Sequence, residues 1–179
     1  MSARLALIEH LRHYSLRTDG PFTLASGRVA DWYMDARQTT FSGEGSRLVA
    51  MAVLEVVAPD TVAVGGMTMG ADPIALAIAT WSEGRLDAFS IRKATKDHGT
   101  GGRVVGPVGS GDPVTVLEDT TTTGGALVEA VEVALEAGLV VVQAIALFDR
   151  SGGTVAALMG ERGIPYLTLA TPSDLGMGS

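Results

Sequence analysis

From residue 61 onward, short apolar runs bounded by glycine, proline or charge alternate with stretches of helical period, and this alternation predicts an α/β fold. Strands are expected at 61–64, 87–91, 114–117, 140–148 and 166–169, with helices at 72–81, 123–137 and 154–162. The strands are apolar at successive positions, so both faces should be covered. That calls for a central parallel sheet flanked by helices, with right-handed crossovers and a ligand site at the strands' carboxyl ends. Upstream, Leu5, Ile8, Leu11 and Tyr14 recur at three-residue steps and predict an amphipathic first helix ending before Asp19-Gly20-Pro21. A further helix is expected at 46–57, stopped by Pro59, and 22–25 and 32–34 read as short extended pieces forming a flap. No repeat, low-complexity tract or long linker divides the chain, so one domain over 1–179 is expected. The glycine-rich stretch 95–111, poor in apolar residues, reads as a mobile loop.

Composition narrows the function. With 179 residues, 46% of them apolar, the chain can bury an ordinary core without disulfide or metal. It has no cysteine, which excludes a thiolate nucleophile and a cysteine-based zinc site, and permits a cytoplasmic address. A net charge of -7 argues against a broad nucleic-acid face. The most apolar stretch, 139–148, is interrupted by Gln143 and too short for a bilayer, and Arg4, Glu9 and Arg12 break up any secretory signal. Neither a membrane span nor export is expected.

The chemistry concentrates at 114–126, where an apolar strand runs into Glu118 and Asp119, then Thr120, Thr121, Thr122, Thr123, Gly124, Gly125 and Ala126 before a helix. Unpaired amides and the positive dipole end at a helix N-terminus attract phosphate, glycine lets the backbone approach, and threonine hydroxyls add donors. The acids upstream can accept from ribose hydroxyls or stabilise positive charge on a sugar. A single Thr or Asp here would be an ordinary cap or turn; the combination points to a sugar phosphate. Neither a Gly-Lys-Ser/Thr P-loop nor a G-x-G-x-x-G fingerprint is present. Arg92, Lys93, Lys96 and His98 place four basic groups within seven positions of an acidic chain, which suits a polyanion.

The run 118–126 resembles the phosphoribosyl-pyrophosphate signature of type I phosphoribosyltransferases. The segment Ile91-Arg92-Lys93-Ala94-Thr95-Lys96-Asp97-His98-Gly99, continued by Val105-Gly106-Pro107, resembles the catalytic loop of orotate phosphoribosyltransferases. Phe22-Thr23-Leu24-Ala25-Ser26-Gly27-Arg28 with Trp32-Tyr33-Met34-Asp35 is similar to that family's N-terminal hood, and Phe148-Asp149-Arg150 to the place where an arginine meets orotate.

The resemblance implies the type I phosphoribosyltransferase fold, with a small hood over about 1–40 and a mobile catalytic loop over about 93–107. It implies transfer of ribose 5-phosphate from phosphoribosyl pyrophosphate to orotate, in pyrimidine synthesis. Lys96 and His98 would be catalytic. The donor would be bound by Arg92, Lys93, Lys96, His98, Glu118, Asp119 and 120–126, and orotate by Thr122 and Arg150. Mg2+ is expected mainly through the donor and water, with no dedicated metal ligands, in a cytoplasmic homodimer sharing its active sites. Three positions depart from the family: Ala25 and Met69 stand where lysines are common, and Glu118 where aspartate is commoner. Two alternatives are a type I enzyme for another base, which should not need the 92–99 loop or Arg150, and a non-catalytic donor sensor, which salt-sensitive nucleic-acid binding without turnover would reveal.

Overall fold

Serine side chains start the first two long helices. In the computed structural model, which describes residues 2–23, 27, 29–94 and 102–178, Ser2 accepts from the Leu5 amide ahead of α1 (Ala3–Tyr14) and Ser42 from the Gly45 amide ahead of α3 (Gly43–Leu54). Between them lie β1 (Leu16–Arg17), β2 (Phe22–Thr23), β3 (Val29–Ala30), β4 (Tyr33–Met34) and the single turn α2 (Arg37–Thr40). The body follows as β5 (Ala63–Met67), α4 (Asp72–Trp81), β6 (Asp87–Ile91), β7 (Val104–Val105), β8 (Pro113–Thr121), α5 (Gly125–Glu136), β9 (Val140–Asp149), α6 (Thr154–Glu161) and β10 (Tyr166–Ala170). A 3-10 turn, Ser173–Leu175, comes last.

The body strands form one sheet in the order β10-β9-β8-β5-β6-β7, parallel except at its β7 edge. That edge is a departure from the expected arrangement: Val104 and Val105, inside the stretch read as loop, pair antiparallel with Ile91 and Ser90. Two-sided burial holds as expected. On β8, Val114 and Val116 join the layer under α5 and α6, with Leu127, Val131, Val155 and Met159. Leu117 faces the opposite layer, with Leu7, Leu11, Val49, Val53, Ile74 and Ile78 of α1, α3 and α4. Each such fully buried aliphatic side chain contributes roughly 1.5–3 kcal/mol. Gln143, the polar interruption in β9, is buried and satisfied: its Oε1 accepts from the Ala58 amide at 2.8 Å and its Nε2 donates to the Val56 carbonyl at 3.1 Å. It ties the exit of α3 to the sheet.

Two details of the N-terminal region differ from the sequence pattern. Leu5 and Tyr14 are exposed, and the buried stripe of α1 is Ala3, Leu7, Ile8 and Leu11. At about 100° per residue, each three-residue step loses about 60°, so Leu5 and Tyr14 fall on opposite sides of the helix. Among the described residues, the pieces expected at 22–25 and 32–34 do not pair with each other. β2 pairs with β3 and β4 with β1, giving two antiparallel ribbons.

Candidate functional site

The carboxyl ends of β5, β8 and β9, neighbours in the sheet, open into a cleft of about 620 Å³ roofed by Tyr33, Asp35 and Arg37. Of the residues singled out from sequence, Lys93, Glu118, Asp119, Thr120, Thr122, Ala126 and Arg150 line it, together with Met67, Thr68, Met69 and Gly70 from the turn after β5. A wider groove of about 1010 Å³ adjoins it, bounded by Asp31, Trp32, Ser151, Pro172 and Met177; Thr122 and Arg150 line both.

The acidic pair is built by β8. Glu118 is buried and its Oε2 has no hydrogen-bond partner. Burial first, and the neighbouring Asp119 carboxylate second, push its carboxyl up to about 8. Asp119 is half-exposed, and its Oδ1 accepts from the Thr120 amide at 2.7 Å. Gly70 permits this arrangement: a Cβ there would stand 2.8 Å from that same oxygen. The pair thus sets a half-exposed carboxyl beside a buried one that holds its proton more tightly than usual, with an unpartnered oxygen on the buried one available to a ligand such as a sugar hydroxyl.

The threonine loop leads into α5. Gly124 precedes the helix at φ +83°, a conformation that favours glycine, and turns the chain so that the first α5 amides emerge at the end of the loop. Thr122 and Thr123 are exposed, as an anion cradle requires. Thr121 differs. Its hydroxyl is buried, 3.5 Å from the Tyr166 hydroxyl, and its carbonyl accepts from the Arg150 amide at 3.0 Å, so it braces the loop from behind.

Arg150 follows β9, and its guanidinium lies over the Trp32 ring, 4.3 Å from the centroid. Arg92 and Lys93 leave the end of β6. The Arg92 amide donates to the Arg103 carbonyl at 2.8 Å and Arg103 Nε returns a bond to the Arg92 carbonyl at 2.7 Å, so the two roots of the basic segment are tied together. Lys96, His98, the glycines at 99 and 101, and Ala25 with most of the 24–28 motif lie outside the described residues. His10 sits on α1 with its Nδ1 3.1 Å from Thr39 Oγ1 and takes no part in the cleft.

Sequence reasoning passed over Arg37, whose Nε donates to Asp35 at 2.8 Å, and Tyr166, whose hydroxyl donates to Asp149 at 3.0 Å. Neither carries a local motif. Only folding brings them to the cleft or to its back wall. The half-exposed Asp119 carboxyl suits a divalent cation carried largely by its ligand, and among the described residues no group of three or more His, Asp or Glu could hold a metal alone.

No family model matches the chain. An orotate phosphoribosyltransferase of Streptomyces avermitilis is 43% identical over 97% of this chain and 97% of its own length. Among solved structures, Mycobacterium tuberculosis orotate phosphoribosyltransferase in complex with Fe(III) dicitrate superposes with a TM-score of 0.87 at 38% identity, covering 98% of this chain and 99% of that one. The same enzyme in complex with 5-phospho-alpha-D-ribosyl 1-diphosphate gives 0.83 at 33% identity, covering 98% and 99%.

Proposed function

Because the chain belongs to the orotate phosphoribosyltransferase family, we propose that it transfers the ribose 5-phosphate of phosphoribosyl pyrophosphate to N1 of orotate. The products are orotidine 5'-monophosphate and diphosphate, a step in making pyrimidines. One observation carries this reading: the acidic pair, the threonine loop and Arg150 line a single cleft at the carboxyl ends of β8 and β9.

In this scheme the 5'-phosphate sits on the loop 120–126, where exposed hydroxyls and the α5 amides meet it. Glu118 and Asp119 hold the ribose hydroxyls. As the C1–O bond to diphosphate breaks and the C1–N1 bond forms, positive charge grows on the sugar and negative charge on the leaving group. Asp119 faces the first; Lys93, with Arg92, Lys96 and His98 of the basic segment, answers the second. Thr122 and Arg150 take orotate, the guanidinium pairing with its carboxylate in a two-bond fork. Mg2+ would be held mainly by the donor and water, with Asp119 as the protein carboxyl at hand, and when bound would neutralise part of the diphosphate charge.

The same proposal includes a homodimer in which the basic segment serves the neighbouring site. Met69 and Leu76, exposed apolar residues on the turn and helix after β5, support a second copy against that face. A cytoplasmic address belongs to the proposal as well, and no helix among the described residues is long and apolar enough to cross a membrane.

The test is the ultraviolet absorbance of orotate over time with protein, donor and Mg2+, beside mixtures holding hypoxanthine, adenine or uracil. Loss of the orotate signal only with donor and metal present is expected. Conversion of another base in place of orotate would reassign the pocket. Lys96→Ala is expected to lower kcat far more than it weakens orotate binding, and equal losses would count against a leaving-group role.

A further inference from the structure

Behind the cleft lies a hydrogen-bonded unit that the scheme above does not use. Asp149, the last residue of β9, is buried, and its two oxygens are divided between two donors. Oδ1 accepts from the Ser151 amide at 2.7 Å; Oδ2 accepts from the Tyr166 hydroxyl at 3.0 Å. Between them, the Arg150 amide is held by the Thr121 carbonyl at 3.0 Å. The backbone that presents Arg150 is therefore fixed by strand β8 on one side and, through Asp149, by strand β10 on the other.

A buried carboxylate is tolerated only when its oxygens are satisfied. Here one of the donors comes from a side chain on β10, 17 residues further along the chain. Tyr166 is suited to that task, because burial, reinforced by the nearby Asp149 charge, keeps its hydroxyl protonated well above the ordinary tyrosine range.

We propose that Tyr166 is a positioning residue for orotate: by donating to Asp149 it holds the turn 149–151, and so aims the Arg150 guanidinium, stacked on Trp32, at the orotate carboxylate. The proposal rests on the assignment of Arg150 to orotate made above. Its selectivity follows from the architecture. The phosphate loop meets this unit only through Thr121 and is otherwise carried by β8 and α5, so loosening the 149–151 turn should disturb orotate more than the donor.

The experiment compares Tyr166→Phe and Asp149→Asn with the wild type in steady-state assays varying each substrate. Phenylalanine keeps the ring and removes the donor. Asparagine keeps the shape but has one acceptor oxygen for two donors. Each variant is expected to raise the KM for orotate about three- to tenfold, the net worth of one ordinary intramolecular hydrogen bond, while the KM for the donor stays within about twofold. A purely structural role would instead lower kcat or raise both KM values together. That result, or an unchanged orotate KM, overturns the proposal. If one variant does not fold, the other decides. Failure of the wild type to consume orotate is read first; it refutes the assignment of Arg150, and this proposal with it.

Discussion

The Arg150 guanidinium stands 4.3 Å from the centroid of the Trp32 ring, and Trp32 meets Phe148 edge to face with centroids 6.2 Å apart. A planar cation on an indole, itself braced by a fully buried ring, presents its donors in one orientation. Arg150→Lys keeps the charge but loses both the stack and the fork. The KM for orotate is expected to rise about ten- to a hundredfold, with the donor KM little changed. Steady-state kinetics with each substrate varied checks this, and an unchanged orotate KM would remove Arg150 from the orotate site.

Glu118 sets a pH dependence whose sign is fixed. Its carboxyl titrates at about 8 in the fold against an ordinary 4.5, so the folded protein keeps a proton that the unfolded chain has lost. Stability attributable to this group is therefore present at low pH and falls as pH rises from about 4.5 to about 8. Glu118→Gln, which imitates the protonated form, should match the wild type in Tm near the lower limit and exceed it above the upper one. Thermal melts across that range decide it; parallel curves would show the carboxyl to be ionised throughout.

Gly70→Ala places a methyl group 2.8 Å from Asp119 Oδ1, an oxygen already committed to the Thr120 amide. The carboxylate must shift, and a displaced acid at the sugar is expected to lower kcat/KM for the donor about ten- to a hundredfold. Orotate affinity in a direct binding assay should hardly move. A variant with full donor kcat/KM would show that Asp119 has room to adjust.

Asp174 anchors the C-terminal segment that borders the wider groove. Its Oδ1 accepts from Arg4 at 2.9 Å, its Oδ2 from the Thr171 amide at 2.8 Å and the Thr171 hydroxyl at 2.7 Å, and its carbonyl from Arg12 at 2.9 Å. Asp174→Ala is expected to lower Tm by about 2–6 °C, most of it from the unpaired Thr171 groups rather than from the exposed ion pair. Calorimetry of the two proteins checks it, and an equal Tm would mean the segment is held by Leu175 and Met177 alone.

What the chain carries locally, its sequence determines by itself. The body helices and strands follow from apolar runs of fixed period, because a segment that buries two faces or one stripe must repeat accordingly. Glu118, Asp119 and the threonine loop are legible for the same reason: acid pair, donors and helix start are contiguous in the chain, and their chemistry needs no distant partner. The N-terminal pairing was not legible. Ribbons of two residues per strand have no period, so which piece pairs with which depends on the packing beneath them. Nor could sequence place Trp32 under Arg150, set Gly70 against Asp119, turn the Thr121 hydroxyl inward or join Tyr166 to Asp149. Each of those is a contact between residues from different elements. Sheet order and the burial of Glu118 decide them, and through that burial the fold also decides how readily the first acid of the pair gives up its proton.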